Sequence, residues 1–157
     1  MSRGLDSILA DTLGGFAADA LLRADHAEER GSINDFSETA FGQVIELAAT
    51  APGTGFLMIW AHLNAEYDFN SVDGADVDLD CRIAVDGEAV SIVVDQEFAK
   101  VEGGTNSGES IAVSTVTPVD SGSRTVALEC RTTGAGAVFV KARSLSTLYV
   151  PFGSVTR

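Results

Sequence analysis

The run Gly53-Thr-Gly-Phe-Leu-Met-Ile-Trp-Ala-His-Leu-Asn-Ala-Glu-Tyr-Asp-Phe69 decides the fold. Side chains alternate across a strand, so the run divides into two faces. One face carries Leu57, Ile59, Ala61, Leu63, Ala65, Tyr67 and Phe69, enough to line a core. The other begins with Phe56, Met58 and Trp60 and turns polar at His62, Asn64, Glu66 and Asp68. The stretch therefore predicts a long strand over 56–69 that is apolar on both sides at its start. Phe56, Met58 and Trp60 need a second cover, which makes them the candidate oligomer interface.

Outward from this strand, the chain reads as β throughout. Ala51-Pro-Gly-Thr-Gly55 is a turn, and Glu38–Ala49 before it is a loosely alternating strand. Val77, Leu79, Cys81, Ile83 and Val85 alternate cleanly with Asp78, Asp80, Arg82 and Ala84. Asp86-Gly87 is a tight-hairpin signal, with a return strand over Ala89–Val94 and a short strand over Phe98–Val101. Ile111–Thr117, ended by Pro118, then Val126–Arg131 and Val138–Val150 complete the set. About eight strands at this spacing, with no helical stripe between them, predict a mainly β chain. The expected architecture is an antiparallel β-sandwich of jelly-roll type with an N-terminal amphipathic helix.

That helix is read from Leu5, Ile8, Leu9, Leu13, Phe16, Ala17, Ala20, Leu21 and Ala24, spaced by three and four residues. The expected divisions are a helix over 1–30, a linker over 31–37 and a β domain over 38–157. The helix has three possible homes: its own sandwich, copies of itself, or a different protein. The polar linker favours the last two, with Leu5, Ile8, Leu9, Leu13, Phe16 and Leu21 as partner-docking residues.

The 157 residues carry a formal net charge of -13, which argues against a nucleic-acid surface. No segment is apolar for long enough to cross a bilayer, so no membrane partner is expected. Asp6, Asp11 and Asp19 interrupt any secretory signal, which points to folding in the cytoplasm. In that compartment Cys81 and Cys130 default to buried thiols; a disulfide would need neighbouring strands with a close Cα approach.

The sequence offers little for catalysis. His26 and His62 are the only histidines, and no Gly-x-Ser-x-Gly elbow is present. No catalytic residue, cofactor or bound metal is expected. Asp73, Asp76, Asp78 and Asp80 form either a calcium site or a solvated acidic edge that discourages aggregation. Asp80, Arg82, Glu129 and Arg131 are expected to face outward as a cross-strand charge lattice. Trp60 and Tyr67, with Asp68 and Asn70 nearby, are candidates for binding a glycan.

The helix, the linker and Ala51-Pro-Gly-Thr-Gly-Phe-Leu-Met-Ile-Trp60 followed by an Asp-Gly hairpin resemble the small jelly-roll proteins of tailed-phage and gene-transfer-agent particles. These are head-decoration proteins, head fibres and fibre-tip domains. The Pro-Gly turn into a long apolar strand is also similar to trimeric sandwiches of the complement and tumour-necrosis type. The resemblance implies a non-enzymatic virion structural protein, assembled in the host cytoplasm. Its helix would dock on other virion or shell proteins, and its sandwich would form a homo-oligomer, with a trimer favoured.

Overall fold

β3 (Gly55–Asp68) is the strand expected from the opening stretch, and it lies inside a four-stranded sheet. The computed structural model describes residues 23–68, 76–98, 107–134 and 137–152. Within them the strands are β1 (Arg23–Ile33), β2 (Gly42–Ala51), β3, β4 (Val77–Val85) and β5 (Glu88–Ala89). β6 (Val94–Phe98), β7 (Ser107–Val119), β8 (Gly122–Gly134) and β9 (Ala137–Pro151) follow. One sheet runs β1-β9-β3-β7; the other runs β2-β8-β4-β5, with β6 also paired to β4. All pairings are antiparallel. With β5 and β6 taken as one interrupted strand, this is the connectivity of an eight-stranded jelly roll.

The core lies between the sheets. Leu57, Ile59, Ala61, Leu63, Ala65 and Tyr67 of β3 face it, with Leu145 and Tyr149 of β9. Val77, Leu79, Cys81 and Ile83 of β4 and Val126, Leu128 and Cys130 of β8 meet them from the other sheet. The period-two patterns are thus the residues that the sandwich buries. Gly55 is required where β3 starts. A Cβ there would sit 2.4 Å from the Val150 carbonyl oxygen and 2.8 Å from the Tyr149 ring.

The hairpin between β4 and β5 has Asp86 at φ 51° and Gly87 at φ 83°, both in the left-handed region that a two-residue primed turn requires. Its return strand does not run unbroken over Ala89–Val94. After Val90 N–H bonds to the Ile83 carbonyl (2.9 Å), the Ser91 hydroxyl oxygen accepts from Ile83 N–H (2.8 Å). A side chain replaces the next rung of the ladder, and pairing to β4 resumes in β6. Similarly, Pro118 does not end its strand. β7 is an edge strand, where a missing N–H costs no ladder bond, and it continues to Val119.

Three further expectations are corrected. The helix expected over 1–30 does not extend through 23–30, which form β1 against β9. Beyond Ala24 the helical stripe has no large apolar residue to continue it, and the open edge of β9 supplies backbone partners instead. Residues 1–22, with the docking stripe Leu5, Ile8, Leu9, Leu13, Phe16 and Leu21, lie outside the described residues. The linker expected over 31–37 contains the end of β1 and the crossover to the other sheet. There Phe36 packs against the core and the Ser37 carbonyl accepts from Thr132 N–H (3.3 Å). Arg143 of β9 fixes β1 from the inner side through an ion pair to Glu29 and a bond to the Gly31 carbonyl (3.0 Å).

The third correction concerns the cysteines, which are joined as a disulfide and are not two thiols. β4 and β8 are neighbours, and their register sets Cys81 directly opposite Cys130 with Cα atoms 4.2 Å apart. That is the close approach that the bond needs, and strand register is not visible in cysteine spacing.

Candidate assembly face

The outer face of the four-stranded sheet carries Phe56, Met58 and Trp60, and cross-strand register lays its side chains out in rows. Val150, Phe56 and Pro118 make the first row, and Ala24, Leu148, Met58 and Val116 the second. His26, Ser146, Trp60 and Ser114 follow, then Glu28, Ser144, His62 and Ala112, then Arg30, Ala142, Asn64 and Ser110. The face is apolar at the start of β3 and becomes polar along it. Phe152 extends the apolar end, its ring 4.5 Å from that of Phe56 in an edge-on contact.

No charged described residue stands in the first two rows, where Phe56, Met58 and Leu148 are half-buried and Val116 and Val150 exposed. Val116 is 56% exposed and Trp60 43%, with Val150 and Phe152 also exposed. Isolated apolar residues on a surface are ordinary; a contiguous set spanning neighbouring strands is a candidate interaction surface.

The polar rows are internally bonded. His26 Nδ1 and Ser146 Oγ are 2.8 Å apart. The Ser110 hydroxyl donates to Asn64 Oδ1 (2.8 Å). Glu28 pairs with Arg30 at 3.0 Å, and Lys141 with Glu66 at 3.4 Å. A shallow groove on this face is lined by Trp60 and His62 of β3, Ser144 and Ser146 of β9, and Ser114 of β7.

The outer face of the five-stranded sheet is built differently. Arg82–Glu129 and Arg131–Asp80 are cross-strand ion pairs, both at 2.9 Å, forming the expected lattice. The Phe41 ring lies 4.1 Å from the Arg82 guanidinium and 4.8 Å from that of Arg131. Charge and ring cover each other here, while Ile92 and Val93, between β5 and β6, are exposed. Of the aspartate cluster, Asp80 is engaged by Arg131 and Asp78 accepts from the Thr133 hydroxyl (3.1 Å). Asp73 lies outside the described residues. Asp95 of β6 stands opposite Asp80. Burial first, then the charges of Asp78 and Asp80, hold its carboxyl above the ordinary value.

The three sequence-chosen interface residues therefore share one exposed-to-half-buried face. The glycan candidates do not come together. Trp60 is on the surface, but Tyr67 is fully buried in the core; the Asp68 side chain and Asn70 lie outside the described residues. Sequence reasoning missed Val116, Leu148, Val150 and His26 as members of this face. The alternate set of β9, Ala142-x-Ser-x-Ser-x-Leu-x-Val150, repeats the polar-to-apolar gradient of β3 in reverse order. Antiparallel pairing superimposes the two gradients.

No protein-family model and no curated protein matches this chain. Solved structures do resemble it in fold. A tumour-necrosis-factor protein, Eiger from S. frugiperda, has a TM-score of 0.52 at 11% identity, covering 87% of this chain and 98% of that one. A structure of infectious bursal disease virus, Gx strain, gives 0.48 at 15% identity over 86% of this chain, which spans 33% of that one. The sugar-binding EclA C-terminal domain gives 0.43 at 15% identity, covering 83% and 81%. At 11% identity the likeness to Eiger is one of fold, and it agrees with the strand order of a jelly-roll sandwich.

Proposed function

We propose that this chain is a non-catalytic structural subunit that self-associates through the outer face of the four-stranded sheet. The observation that carries the reading is the uncharged apolar end of that face, Phe56, Met58, Val116, Leu148, Val150 and Phe152, with Trp60 at its border. Taking large apolar side chains from water is worth about 1.5–3 kcal/mol each when burial is complete. Several such residues per copy can offset the cost of association, which runs to several kcal/mol. Three copies is the number suggested by the resemblance to trimeric sandwiches. The leading stripe Leu5, Ile8, Leu9, Leu13, Phe16 and Leu21 would then attach the assembly to a shell. That arrangement fits an accessory protein of a virion-like particle, of decoration, head-fibre or fibre type.

Light scattering on a size-exclusion column tests the self-association. The wild-type chain is expected as an oligomer and a Met58→Asp/Trp60→Asp variant as a folded monomer. A variant that keeps the wild-type mass would remove this face from the assembly. A glycan-binding module is the second reading, favoured by the groove that sets the exposed Trp60 beside Ser114, Ser144, Ser146 and His62. A glycan array with Trp60→Ala as control separates the two, because a purely structural subunit gives no Trp60-dependent signal.

A further inference from the structure

Both histidines of the chain lie on the face proposed for assembly, although they are 36 residues apart in sequence. His26 shares a row with Trp60 through Ser146, and His62 stands in the next row on β3. A contact that covers Trp60 and the rows on both sides of it also removes these imidazoles from water. Burying a charged imidazolium is costly unless an acid meets it.

Among the described side chains, the two acids of this face are each ion-paired. Glu28 of β1 is held by Arg30, and Glu66 of β3 by Lys141 of β9. β7 adds no charge over Ser110–Pro118, offering Ser110, Ala112, Ser114, Val116 and Pro118. The immediate neighbours of the rings are Ser146 and Ser144, hydroxyls that serve a neutral imidazole as well as a charged one.

We infer that assembly through this face is gated by pH, with His26 and His62 as the sensors: neutral imidazoles permit the contact, and protonation separates the copies. The inference rests on the assembly reading above. Its sign follows from linkage. The assembled state holds the imidazoles neutral, so it binds fewer protons than separated copies and weakens as pH falls. By linkage, each proton that assembly excludes weakens association by up to about tenfold per pH unit on going down in pH.

Sedimentation velocity on the full chain over a concentration series at pH 8.0 and pH 5.5 tests this. The expected result is an oligomer at pH 8.0 whose association constant drops at least tenfold at pH 5.5. In the His26→Gln/His62→Gln variant, the ratio between the two pH values should be close to one, whatever its strength at pH 8.0. A wild-type oligomer equally strong at both pH values overturns the gating, as does a double variant that keeps the drop. A monomer at both pH values fails differently, because it removes the assembly on which the gating rests.

Discussion

Removing the Cys81–Cys130 bond is expected to cost this protein much of its stability. The bond joins β4 to β8 across a sequence separation of 49 residues. In the chain-entropy account, closing a loop of that length removes about 4 kcal/mol of conformational freedom from the unfolded state at room temperature. Unfolding entropies run near 2.1 cal/mol/K per residue, so in a chain of this length the loss corresponds to a Tm lower by roughly 12 °C. A Cys81→Ala/Cys130→Ala variant is the direct perturbation, because alanine leaves no polar group in a fully buried position. Thermal unfolding followed by circular dichroism gives the shift. Thiol titration of air-oxidised wild-type protein, denatured without reductant, should find no reactive cysteine. Two titratable thiols, or a variant melting within about 2 °C of wild type, would refute the reasoning.

Other perturbations probe the frame around the face. Gly55→Ala should destabilise by about 1–3 kcal/mol, since its Cβ would meet the Val150 carbonyl at 2.4 Å; a urea melt measures this. Asp95→Asn should stabilise the protein at pH 7. The carboxyl is held above its ordinary value by burial and by Asp78 and Asp80. The folded state therefore binds the proton more tightly than the unfolded chain, and wild-type stability is lost as pH rises through the raised value. The advantage of the asparagine should shrink as pH falls toward 3.8, the ordinary value, and parallel melts at pH 7 and pH 4 will show it. Deleting residues 1–30 removes most of β1, leaving the edge of β9 open and the Arg143 side chain without its Glu29 partner. That truncation should lower Tm and raise binding of a hydrophobic dye; an unchanged melt would make β1 dispensable.

Much of the sandwich was legible because local period and tertiary burial agree. The set Leu57, Ile59, Ala61, Leu63, Ala65 and Tyr67 is inward by alternation and buried in fact. Asp86-Gly87 demanded a tight turn and makes one. What failed depends on neighbours distant in sequence. β1 is polar on both faces and became a strand because β9 offered it an edge, so nothing in residues 23–33 announces it. Cys81 meets Cys130 through a register that links strands β4 and β8. Tyr67 looked available for a ligand because aromatic residues suit either a core or a platform, and only packing against Phe98, at 6.3 Å between rings, decides. Phe56, Met58 and Trp60 stood out because a surplus of apolar side chains is a property of one strand. Val116, Leu148 and Val150 joined them only once pairing had been defined.

Self-association is tested most directly by sedimentation equilibrium of the intact, unmodified chain at pH 8.0. A mass of three times the 16.3 kDa of one chain is predicted. A single species of 16.3 kDa, unchanged up to millimolar concentration, would contradict it.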